Sequence, residues 1–89
     1  MDLKIATSRK AAEFIDAIVT KMLLLFPISR AEAVGRINDS WGHLDYIGDS
    51  DVIFHETAEY WAKTIYYGKD SHWWLGEEGL KPLPYTPSG

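Results

Sequence analysis

The sequence predicts an all-α fold, a compact three-helix domain followed by an extended aromatic C-terminal arm that contains proline and glycine. Three observations predict it. Apolar residues recur at helical spacing in three separate stretches, cap and stop residues bracket those stretches, and periodicity is lost after Gly68, where glycines and prolines accumulate. The chain has 89 residues, which fits one small domain spanning 1–89, with an ordered core at about 8–75 and a tail at 76–89 that is extended or partly flexible.

The first helix is expected at 8–26. Ser8 is its N-cap, and Ala11, Ile15, Val19, Met22 and Phe26 fall on one stripe, broadened by Ala12, Ile18 and Leu23. Arg9 and Glu13 stand four apart on the wet side. Leu24 also falls on that side and is exposed unless the next segment covers it. Pro27 ends the helix, because proline disfavours helical geometry in the residue before it.

A second helix is expected at 29–41, opened by the capping-box pair Ser29 and Glu32. Val34, Ile37 and Trp41 form its apolar stripe. Gly35 either weakens it by about 1 kcal/mol or lets another element come close. The short link between the two helices makes them neighbours. Residues 42–49 then read as an ordered loop anchored by Leu44, Tyr46 and Ile47.

The third helix is expected at 50–67, within a stretch (50–74) that holds seven of the twelve aromatic residues. Phe54, Ala58, Trp61 and Ile65 share a stripe, Glu59 precedes Lys63 by four residues, and Gly68 supplies the stop. This helix carries more aromatic surface than one core face needs. The surplus is assigned to Tyr60, Tyr67, Trp73 and Trp74 as a candidate interaction surface, since Trp and Tyr bury large rigid areas at interfaces while keeping a polar handle.

Composition narrows the function classes. Apolar residues make up 46% and charged residues 25%, as in folded domains rather than disordered chains. Without cysteine there is no disulfide, thiolate metal site or cysteine nucleophile. Net charge is −4 and the basic residues are scattered, so nucleic acid is a poor partner. No apolar run is long enough to cross a membrane, and the first residues lack a signal-peptide core. The expected setting is therefore the cytoplasm.

Three site patterns invite comparison. His55-Glu56-Thr57-Ala58-Glu59 departs from the helical zinc motif by ending in glutamate, so a metal needs further ligands such as His43 or His72. Asp45 to Glu56 has the length of a calcium loop but places Ile47 and Ser50 where a ligand and a glycine are required. Glu56 and Glu59 can pair as acid and base only in a water-excluding cleft, and neither a nucleophile elbow nor a phosphate loop is present. The reading is thus a non-catalytic protein-interaction module, an adaptor, regulator or inhibitor that binds another protein or itself, with no cofactor. The alternative is a small-molecule or metal-binding domain using His43, His55, Glu59 and His72.

Overall fold

A computed structural model describes residues 3–86. Its elements in order are β1 (Ala6–Thr7), α1 (Arg9–Leu25), α2 (Arg30–Trp41), β2 (Tyr46–Ile47), a 3₁₀ turn (Val52–His55), α3 (Ala58–Tyr67) and a second 3₁₀ turn (Trp73–Leu75). The molecule is helix-rich, with α3 packed chiefly on α1 and α2 set beside them.

The caps of the first two helices follow the sequence. Ser8 Oγ accepts from the Ala11 N–H at 3.1 Å, and Ser29 Oγ accepts from the Glu32 N–H at 3.1 Å. The reciprocal half of the box is not made: Glu32 instead accepts from Arg36 Nε at 2.8 Å. Phe26, before Pro27, leaves the helix in extended geometry (φ −131°, ψ 149°). Leu24 stays 74% exposed, so the following segment does not cover it.

The third helix begins later than its pattern suggests. Asp51 accepts from the Ile53 N–H at 3.3 Å and so caps a 3₁₀ turn, after which Glu56 is extended (φ −126°, ψ 167°). Thr57 then caps α3 by accepting from the Tyr60 N–H at 3.1 Å. This break shifts the helical phase, so a wheel drawn from Phe54 finds Ile65 but is rotated away from the centre of the buried face of α3. Ala62, Ile65 and Tyr66 are the buried residues of α3, whereas Phe54, Ala58 and Trp61 are only partly buried against the core. The other expected core residues, Ile15, Val19, Met22, Phe26, Val34, Ile37 and Trp41, are buried.

The all-α expectation needs one further correction. β1 and β2 form a parallel pair in the register Ala6 to Tyr46 and Thr7 to Ile47, extended by Ser8 N–H donating to the Ile47 carbonyl at 2.9 Å. Two residues per strand leave no periodicity to read. Ile5, just before β1, and Ile47, within β2, anchor the pair by burying their side chains.

After Gly76 the described chain carries neither helix nor strand. It is nonetheless held. The Leu83 N–H donates to the Tyr66 carbonyl at 2.9 Å, and Arg36 Nη1 donates to the Leu83 carbonyl at 2.7 Å. Gly35 has the role of close approach. A methyl group there would lie 2.6 Å from Cζ of Tyr85, whose ring stands over the Arg36 guanidinium (5.5 Å to the centroid). The last three residues of the expected tail, 87–89, lie outside the described residues.

Candidate functional site

The aromatic surplus splits into a buried layer and an exposed tip. Tyr66 stacks on Phe26 with centroids 3.7 Å apart, and Tyr67 meets both rings edge-on. Tyr60 lies edge-on between Trp61 and Trp73. Trp73 donates from Nε1 to Thr64 Oγ1 at 3.0 Å, and its ring lies 5.2 Å from the Lys63 ammonium. Of the four surface candidates, Tyr60, Tyr67 and Trp73 are thus half-buried and engaged within the molecule. Trp74 is 52% exposed and its neighbour Leu75 is 80% exposed.

Local geometry fixes that tip. His72 adopts left-handed backbone (φ 53°, ψ 38°), a conformation histidine tolerates better than most non-glycine residues. Its carbonyl accepts from the Leu75 N–H at 2.9 Å, and its ring meets Trp74 at 5.3 Å. Consecutive residues therefore divide, with Trp73 turned onto α3 and Trp74 outward. A sequence gives no signal for which of two adjacent tryptophans does which.

Glu77 clamps the turn to α3. It accepts from Lys63 Nζ at 2.7 Å and from Tyr67 Oη at 3.1 Å. The Lys63 bond, reinforced by Tyr67, holds the Glu77 carboxyl below its ordinary value despite its partial desolvation. The same bond raises Lys63, and burial followed by the Glu77 bond raises Tyr67. A depressed carboxylate pKa stabilises the folded state above the unfolded value, and that contribution is lost as pH falls through the folded value. Acidification below pH 4.5, the ordinary glutamate value, is therefore expected to loosen the Trp73–Leu75 turn before the helices melt. Tryptophan emission followed against far-ultraviolet circular dichroism reads this directly. Glu77→Gln should already be loose at neutral pH and lack the acid step; an identical acid step in that variant would refute the clamp.

A second feature is a cleft of about 720 Å³ between the C-terminal end of α2, the first 3₁₀ turn and α3. Trp41, Ile53, Trp61, Ile65 and Leu83 supply apolar walls; Asp39, His43, Asp51 and Lys69 carry its ionisable groups. Trp61 is fixed by its Nε1–H donating to the Ile53 carbonyl at 2.7 Å and by an edge-on contact with Trp41 at 5.4 Å. The sequence places Trp41 and Trp61 in the core and Leu83 in an arm packing over the helices, but gives no sign of Arg36, whose bond holds Leu83 at this wall.

The histidine set is differently placed. His43 lines the cleft, His55 ends the first 3₁₀ turn and His72 opens the second; all three are exposed. Glu59 pairs with Lys63 at 3.5 Å. Among the described residues no group of three or more His, Asp or Glu side chains is placed to hold a metal ion. None of their helices is long and apolar enough to cross a membrane. Compared with protein-family models, curated proteins and solved structures, the chain matches none.

Proposed function

We propose that the protein is a non-catalytic interaction module that docks on another protein, or on a second copy of itself, through the tip formed by Trp74 and Leu75. One observation carries this reading: two large apolar side chains are held outward on a turn that Trp73, Glu77 and the His72 backbone make rigid. A rigid exposed aromatic loses little entropy when a partner covers it, which is what a binding hot spot requires. Tyr60, Tyr67 and Trp73 form the layer that supports it. The residues beyond Gly76 are proposed to act as an extended arm clasped at Leu83, and the setting proposed is the cytoplasm.

A photo-crosslinking residue at position 75, used in cells and in concentrated pure protein, tests both kinds of partner. The expected result is a discrete adduct, whether self or foreign, that Trp74→Ala removes while the unfolding free energy stays within about 0.5 kcal/mol of the parent, as for a surface substitution. Adducts that are absent, or unchanged by Trp74→Ala, would overturn the reading.

A further inference from the structure

We infer that the cleft beside Trp41 and Trp61 is a binding site for a small elongated amphipathic cation, an apolar chain or ring bearing an ammonium group. This site is independent of the Trp74–Leu75 tip and stands whether or not that tip docks on a protein. Its volume, about 720 Å³, lies within the range of small-molecule sites, and its walls have their character, mainly apolar and aromatic with a few polar groups.

Charge decides the ligand's sign. Asp39 and Asp51 face one Lys69, and among the described residues neither aspartate has a basic side chain within salt-bridge distance. Asp51 has spent one oxygen on the Ile53 N–H; the Asp39 carboxylate makes no hydrogen bond among the described residues. Trp41 and Trp61 are both in the lining, and indole rings attract cations.

Position decides the ligand's shape. Asp51 belongs to the turn whose Ile53 carbonyl holds Trp61 near the start of α3. Lys69 lies past the other end of α3, and the six helical steps from Trp61 to Tyr67 rise about 9 Å. At that far end Leu83 packs its side chain against Gly68, where an added Cβ would lie 3.2 Å away. An ammonium at Asp51 thus leaves an apolar tail running along Ile65 towards Leu83.

The test uses octylammonium, octanol and octanoate, titrated separately into the full chain while amide and indole N–H signals are followed by nuclear magnetic resonance. Octylammonium is expected to saturate with a dissociation constant on the order of 1 mM or tighter, shifting the indole signals of Trp41 and Trp61 and the amide of Leu83. It should bind roughly threefold to fivefold more tightly than octanol, the increment of a partly exposed charge pair, and octanoate more weakly than either. Asp39→Asn, at an exposed position, and Asp51→Asn, in which asparagine keeps the cap, should each reduce the ammonium preference and leave octanol binding unchanged. Absence of saturation by all three probes, shifts centred on Trp74 instead, or octanoate binding as tightly as octylammonium would each overturn the inference.

Discussion

Arg36→Ala is expected to destabilise the fold by about 2–3 kcal/mol and to free the chain beyond Gly76, because it removes a buried charge that serves four partners at once. Arg36 is 7% exposed. Its Nε donates to Glu32 and its Nη1 to the Leu83 carbonyl, while its guanidinium stands 4.9 Å from the Tyr66 ring centroid and 5.5 Å from that of Tyr85. Alanine leaves the half-buried Glu32 carboxylate and the Leu83 carbonyl without their donor and opens a gap between two tyrosines. Arg36→Met keeps the apolar stem and should recover part of the loss, but not the tether. Urea unfolding gives the energy, and hydrogen exchange at the Leu83 amide reports the tether. A loss under 0.5 kcal/mol with unchanged exchange would mean that the C-terminal residues are held by something else.

Ile47→Ala is expected to cost about 3 kcal/mol, within the usual span for truncating a buried isoleucine, whereas Tyr46→Ala should change stability by less than about 0.5 kcal/mol. Ile47 is 0% exposed and Tyr46 is 57% exposed. Both lie in β2, where neighbouring side chains point to opposite faces. The pair of variants therefore tests the register of the β1–β2 ladder as much as the burial of one side chain, since a slip of one residue would exchange the two costs. Thermal or urea unfolding of both proteins decides it.

What could be read from the sequence was local. Ser8, Ser29 and Pro27 act on backbone groups within four residues of themselves, so the limits of α1 and α2 followed from them directly. Two regular stripes then located most of the core. The start of α3 was hidden because Asp49, Ser50 and Asp51 all make acceptable caps, while Thr57, the residue that caps it, is followed by Tyr60 rather than by the glutamate of a capping box. The β1–β2 pair joins residues forty positions apart, and pattern reading has no access to such contacts. Arg36 was hidden for a different reason. A lone arginine on an amphipathic helix reads as solvated unless its distant partners, Leu83 and Tyr85, are known. At the candidate site, aromatic excess was visible as composition, but its division into a supporting layer and an exposed tip depends on the His72 backbone.

The double tether at Leu83 also fixes an order of events during synthesis. α1, α2 and α3 are synthesised before the residue that joins α2 to the end of α3, since chains are made from the N-terminus. Until Leu83 arrives, the Tyr66 carbonyl lacks that donor, Arg36 has only Glu32 as a polar partner, and the cleft lacks its last wall. A chain released before that residue therefore lacks both bonds of the tether and one wall of the cleft.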